Sequence, residues 1–255
     1  MSIADKLIQM KEDLDDVYDA GKQAEYDRLW DCLQQNGERD FYRSAFSGVL
    51  WNDETLQPKY PIRFSDTTSN SQSAQYIFSY AGYTQMSQRP KPQIDMTEIC
   101  KKIDWSNCLN ASNIFDNACV KNITIDLSNA IKLDNAFRRS NAGEISNVRL
   151  KITEKCISLT NAFYYYDDCT IIFLEGSVIA CNGLNTQWAT ALSKESIVSI
   201  FNALSPTTSG LSVTFSKNAV NNAFGINVDD ASTYPQGSEY HTLRHSKDNW
   251  DVKYV

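Results

Sequence analysis

The segment LDNAF at residues 133–137 recurs as LTNAF at residues 159–163, and this repetition decides the fold. Other copies keep the pattern of asparagine, a small or branched residue, and phenylalanine. These copies are Asn113-Ile114-Phe115 and Asn222-Ala223-Phe224, with Ala74-Gln75-Tyr76-Ile77-Phe78 as a degenerate earlier one. A unit that returns along the chain predicts a repeat architecture, in which each unit packs mainly against its neighbours.

A short alternating strand follows each central copy. The strand segments are ITIDL at 123–127, VRLKI at 148–152 and IIFL at 171–174. Successive phenylalanines lie 22 and then 26 residues apart, and the strand starts lie 25 and then 23 apart. One strand and one short turn in 20–29 residues is typical of a leucine-rich repeat. Unrelated strands in an ordinary α+β domain would not explain the matched spacing.

The predicted fold class is therefore α/β, with an N-terminal helix followed by a short leucine-rich-repeat-like solenoid and a C-terminal cap. We expect four segments: an N-terminal helix at 1–37, an aromatic connector at 38–92, the solenoid at 93–190 and the cap at 191–255. In the cap, Ile197, Ile200 and Phe201 mark one face of a helix that begins near Ser193. The stretches 211–215 and 250–254 alternate like strands.

The N-terminal helix carries a seam with the 3.5-residue period of a coiled coil. The seam consists of Ile3, Leu7, Met10, Leu14, Val17, Gly21 and Ala24. We expect Leu7, Met10, Leu14 and Val17 to mediate self-association, with a trimer suggested by analogy to tail appendages. The alternative is an amphipathic helix that packs on its own domain.

Composition and charge exclude several classes of partner. Residues 1–40 hold 11 acidic and 5 basic residues, whereas the whole chain has a net charge of −7, so the remainder is nearly neutral. This distribution gives no reason to expect nucleic acid as a partner. No apolar run is long enough for membrane insertion, and the N-terminus does not resemble a secretory signal, so we expect synthesis in the cytoplasm. The seven cysteines form no CxxC pair, and we interpret them as core residues.

The search for catalytic chemistry predicts a protein that is not an enzyme and needs no cofactor. His241 and His245 have the i, i+4 spacing of a metal-binding pair, with Glu239 or Asp248 as a conceivable third ligand. Exposed polar residues are the better interpretation, and we predict no metal site. The chain also has neither a GxSxG elbow nor a phosphate-binding glycine loop.

The best candidate for binding is the run Tyr164-Tyr165-Tyr166-Asp167. Tyrosine combines a broad apolar ring with a hydroxyl group and little rotamer entropy, which suits recognition of proteins or sugars. The alternative is that one or two of these rings pack within or between repeats.

Two stretches resemble known families. The repeats, especially CISLTNAF at 156–163 and TIIFL at 170–174, resemble the bacterial-surface type of leucine-rich repeat. The segment VYDAGKQAEYDRLW at 17–30, with QNGER at 35–39 and PKY at 58–60, is similar to the N-terminal module of proteins found with phage and prophage tail genes.

This resemblance implies a non-enzymatic virion protein, associated with a phage tail or baseplate. It would bind other virion proteins and a host surface protein or glycan. The alternative is a bacterial leucine-rich-repeat adhesion or interaction protein, which the absence of an export signal disfavours. A wall or glycan hydrolase is a third hypothesis, and no isolated carboxylate pair supports it.

Overall fold

The structure is a computed structural model that describes residues 62–63, 74–75, 77–79, 93–138, 144–164 and 170–255. The predicted N-terminal helix at 1–37, with Leu7, Met10, Leu14 and Val17, lies outside the described residues. So does nearly all of the predicted connector. The described part is a mixed α/β fold with parallel sheets, which confirms the predicted class at that level.

The described elements follow one another in the order that these bounds give. They are β1 (Ile62–Arg63), β2 (Ile94–Asp95), α1 (Thr97–Lys102), β3 (Ile103–Asp104), β4 (Cys119–Asp126), β5 (Glu144–Lys151), β6 (Ile171–Phe173), β7 (Asn185–Thr186), α2 (Lys194–Ala203), β8 (Leu211–Phe215), α3 (Lys217–Phe224), a 3-10 turn (Ala231–Thr233), α4 (Glu239–His245) and β9 (Trp250–Tyr254).

The strands form three sheets in which every pairing is parallel. The largest has the order β2-β4-β5-β6, the second has the order β7-β8-β9, and β1 pairs with β3. In the largest sheet, Ile123 lies beside Val148, which lies beside Ile171. The three predicted central strands are thus neighbours in one sheet.

The turn segments that carry the repeated Asn-x-Phe pattern form a second ladder. The rings of Phe78, Phe115, Phe137 and Phe163 stack in sequence, with centroids 5.1, 5.7 and 5.3 Å apart. The backbone N–H of each of the first three donates to a carbonyl of the next segment at 2.8 Å. This ladder and the sheet enclose the core, in which all four rings are buried.

Asparagine is required at the middle of each turn by the backbone conformation. Asn113, Asn135 and Asn161 have φ of 58°, 55° and 54°. Such left-handed backbones are costly for most L-residues, and asparagine tolerates them best after glycine. The repeated asparagine is thus explained by the local geometry of the turn.

The predicted C-terminal helix and both predicted C-terminal strands are present. Helix α2 begins after Ser193, whose hydroxyl accepts a hydrogen bond from the Ser196 N–H as an N-cap. One hydrophobic cluster includes residues on both sides of the predicted boundary at 190. The domain boundaries themselves stay predictions.

The five cysteines in the described part are buried, as the interpretation of them as core residues requires. They are Cys100, Cys108, Cys119, Cys156 and Cys181. Cys32 and Cys169 lie outside the described residues. No helix of the described part has the length and apolar character needed to cross a bilayer.

Candidate binding surface

One face of the β4–β5–β6 sheet is open to solvent at its centre. Along β4 and β5 the side chains alternate, so that Ile125 and Leu150 are buried while Thr124, Asp126 and Arg149 are exposed. The register places Thr124 beside Arg149, and Asp126 beside Lys151. We call the side chains of Thr124, Asp126, Arg149 and Lys151 the open face.

The open face combines opposite charges on adjacent strands. Because side chains of paired parallel residues stand side by side, Asp126 and Lys151 present a carboxylate and an ammonium in one row. Arg149 adds a guanidinium two residues earlier on the same strand. Its five donors suit planar acceptors such as carboxylates, amides or vicinal hydroxyls.

A groove of about 440 Å³ lies between β6 and α2, next to the open face. Its lining mixes apolar and polar groups: Ile172, Leu174, Glu175, Glu195, Val198, Ser199 and Asn202. Ile172 continues the row of Thr124 and Arg149 across the sheet.

Lys151 connects the groove to the open face. Gly176, which lines the groove, has φ of +77°, and a Cβ built there would lie 3.8 Å from Lys151 Cε. The long side chain of Lys151 therefore extends across the turn after β6 to the rim of the groove. The two features form one continuous surface.

Helix α2 fixes the wall of the groove by satisfying the edge of β6. The Ile171 N–H donates to Ser196 Oγ at 3.0 Å, and the Phe173 N–H donates to Ser199 Oγ at 2.6 Å. Ser199 Oγ in turn donates to the Phe173 carbonyl at 3.1 Å. Two serine hydroxyls thus replace the next strand, and the edge groups are paired instead of left unsatisfied.

The predicted tyrosine site is only partly described. Tyr164 is half-buried and meets Trp188 edge to face, with ring centroids 6.2 Å apart. Tyr165, Tyr166 and Asp167 lie outside the described residues. Sequence reasoning missed Trp188, which is 39% exposed, although a tryptophan within a polar stretch was an available signal.

The two histidines stack on helix α4 with their ring centroids 4.2 Å apart. Nδ1 of His245 is hydrogen-bonded to the Asp248 carboxylate at 3.0 Å, and Glu239 pairs with Lys194 at 2.5 Å. Within the part of the chain that the structure describes, no group of three histidine, cysteine or acidic side chains is arranged to hold a metal ion.

Two buried thiols have protonation states that matter for any nucleophilic chemistry. Burial raises the pKa of Cys100 and of Cys108 to about 12. Both side chains are therefore neutral thiols at physiological pH and lack the thiolate that acts as a nucleophile. They serve the core as small apolar groups.

Comparison of the chain with family models, with curated proteins and with solved structures found no match to any of them. The chemistry of the surface must therefore be argued from its own geometry.

Proposed function

We propose that the chain is a leucine-rich-repeat-like solenoid that binds a partner non-enzymatically through the open face and the adjoining groove. The observation that carries this proposal is the agreement of two ladders. Strands β4, β5 and β6 and the phenylalanine turns recur with the same order and nearly the same spacing.

The argument for a solenoid is physical. Each repeat contributes one half-buried strand and one phenylalanine, and neither can be shielded from water by its own repeat. Phe137 is fully buried because Phe115 and Phe163 stack on its two faces. Stability that depends on nearest neighbours defines a repeat protein.

The argument for binding concerns what the repeats display. Parallel strands in register place a broad array of side chains on a rigid support, and the groove offers a concave site at its edge. Charged and hydroxyl-bearing groups on one side, with Ile172 and Val198 on the other, suit a polar chain with some apolar surface. A host surface protein or a cell-wall glycan has this chemistry.

The biological setting follows from the sequence resemblance alone. It supports a phage or prophage tail- or baseplate-associated protein, located in the virion, that associates with itself and other virion proteins through its N-terminal segment. A bacterial adhesion or interaction protein with the same architecture is the second candidate. Mass spectrometry of purified particles after prophage induction separates the two, since only a virion protein co-purifies with tails.

The binding proposal is tested with purified walls of gut-type Gram-positive bacteria in a co-sedimentation assay. Arg149→Ala with Lys151→Ala should reduce the bound fraction several-fold, because both side chains belong to the open face. Lys155→Ala is the matched control, since Lys155 is an exposed lysine of the same repeat that donates to Asn129 at 2.6 Å outside the open face. Equal binding by all three proteins would contradict the proposal.

A further inference from the structure

Strand β9 ends its sheet, and within residues 93–138, 144–164 and 170–255 its strand partner is β8 alone. The register pairs Leu211 with Trp250 and Phe215 with Tyr254. Beyond the strand, the Val255 N–H donates to the Phe215 carbonyl, and the Val255 carbonyl accepts from the Lys217 N–H. Both backbone groups of Val255 therefore point toward β8.

The backbone groups of alternate residues in β9 point the other way. Because successive residues of a strand direct their N–H and C=O to opposite sides, Asp251 and Lys253 face β8 together with Val255. Val252 and Tyr254 then direct their N–H and C=O outward, as Trp250 does with its C=O. The Trp250 N–H is already used, since it donates to the Lys247 carbonyl at 2.9 Å.

The side chains of β9 divide just as sharply between its two faces. Trp250 and Val252 are buried in the core, at 2% and 8% exposure. Asp251 and Lys253 are exposed on the opposite face, with Lys253 Nζ 3.4 Å from Asp251 Oδ2. Tyr254 is anchored by a hydrogen bond between its hydroxyl and that of Tyr240. The outer edge of β9 is thus a short, ordered strand with one acidic and one basic side chain.

We propose that this edge is an interface with a second copy of the chain, in which the two β9 strands pair antiparallel about a two-fold axis at Val252. Val252 then faces Val252 of the second copy, and the two residues exchange both backbone hydrogen bonds. The Tyr254 N–H donates to the Trp250 carbonyl of the second copy, and symmetry repeats this bond. The pairing places the outward N–H groups of Val252 and Tyr254 on carbonyls of the second copy.

The charges select this register over its neighbours. With the axis at Val252, Asp251 lies opposite Lys253 of the second copy, and this favourable pair occurs twice. Moving the axis to Asp251 would bring two aspartates together, and moving it to Lys253 would bring two lysines together. The register with attractive charges is also the one in which the five residues of β9 overlap completely.

The self-complementary charges are the reason for choosing a second copy over an unrelated strand. An edge protected only against aggregation would do best with like charges, which repel an identical edge in any register. Alternating opposite charges have the reverse effect on an identical antiparallel strand.

The test uses sedimentation analysis of the full chain and of two exposed charge reversals, Asp251→Lys and Lys253→Asp. Each reversal places like charges opposite each other in its own homodimer, so the dissociation constant of this interface should rise at least about tenfold. An equimolar mixture of the two variants restores both attractive pairs. We expect the mixture to regain the association step that each variant has lost.

This design separates the β9 interface from association through the N-terminal segment. Association elsewhere in the chain is the same in all four samples, whereas the β9 interface distinguishes each variant from the mixture. Hydrogen exchange gives a second readout, because the outward amides of Val252 and Tyr254 should exchange more slowly in the wild-type chain than in either variant. Identical masses in all four samples, or equally fast exchange of these amides, would overturn the proposal.

Discussion

The side-chain amide of Asn147 donates to the side-chain oxygen of Asn122 at 3.0 Å, and both residues have left-handed backbones, with φ of 56° and 58°. Asn122 donates in turn to Asp95 at 2.8 Å. Three adjacent strands are thus joined by side chains at the point where the backbones of β4 and β5 bend. The bend lets Val120 and Ile123, three residues apart, both face the core.

Replacing Asn122 should show whether its backbone conformation or its side chain matters more. Asn122→Ala should destabilise the protein by about 1 kcal/mol more than Asn122→Gly, because alanine is strained at this φ and glycine is not. Chemical denaturation measures both. Equal losses would mean that the hydrogen bonds alone account for the role of Asn122.

Truncating the central ring of the phenylalanine ladder should be severe. Phe137→Ala should cost about 3–5 kcal/mol of unfolding free energy, since Phe137 is fully buried between two stacked rings. Ile157→Ala is the control: this aliphatic side chain is 63% exposed, and its loss should change stability by less than about 0.5 kcal/mol. Similar losses for the two variants would argue against the ladder as the core of the repeats.

Removing the Ser199 hydroxyl should loosen the edge of β6. Ser199→Ala leaves the Phe173 N–H without its acceptor, and we expect a loss of about 1–2 kcal/mol and faster exchange of the Phe173 amide. Ser209→Ala, at an exposed serine, should change neither quantity. Unchanged exchange at Phe173 in the Ser199 variant would show that the hydroxyl does not protect this edge.

Acid unfolding should depend on Asp95. Burial raises the pKa of this carboxyl, but hydrogen bonds from Thr97 and Asn122 and the charge of Lys121 outweigh that effect and hold the pKa below its ordinary value of 3.8. A lowered folded-state pKa stabilises the protein above the unfolded-state pKa, and this contribution is lost as the pH falls through the folded-state pKa.

Asp95→Asn should therefore lower stability at neutral pH and flatten the decline of stability below about pH 4. Denaturation midpoints across a pH series measure both effects. Glu154→Gln, at an exposed glutamate, serves as the control. An acid profile for Asp95→Asn that parallels the wild-type profile would contradict this role.

Replacing Tyr164, Tyr165 and Tyr166 together with serine should weaken wall binding and leave the melting temperature nearly unchanged. The reason is that tyrosines on a turn contribute contact area to a partner more than to the core. The same co-sedimentation assay and a thermal melt measure the two effects. A large drop in melting temperature would instead assign these rings to the packing between repeats.

The strands show where sequence reasoning succeeds and where it stops. Residues 123–127 and 148–152 alternate regularly, so their strands were predictable, yet β4 begins at Cys119 and β5 at Glu144. The missing residues precede Asn122 and Asn147, where the left-handed backbone interrupts the alternation. A period-2 pattern cannot be recognised across such an interruption.

The candidate surface was less predictable than the fold. The tyrosine run was conspicuous in sequence, whereas the open face is made of ordinary charged residues from separate strands. Lys151 and Gly176 lie 25 residues apart and meet only because β5 and β6 pair in register. Trp188 is 24 residues from Tyr164 and has no local signal that would connect the two rings.

The sequence by itself determined the repeating unit, its parallel strands, its buried phenylalanines and the C-terminal helix and strands, because periodic hydrophobicity and turn-forming asparagines act locally. Only the tertiary structure decided the strand register, the pairing of β6 with serines of α2, the groove and the outward edge of β9. These features depend on which distant residues become neighbours, and that is fixed when all repeats share one core.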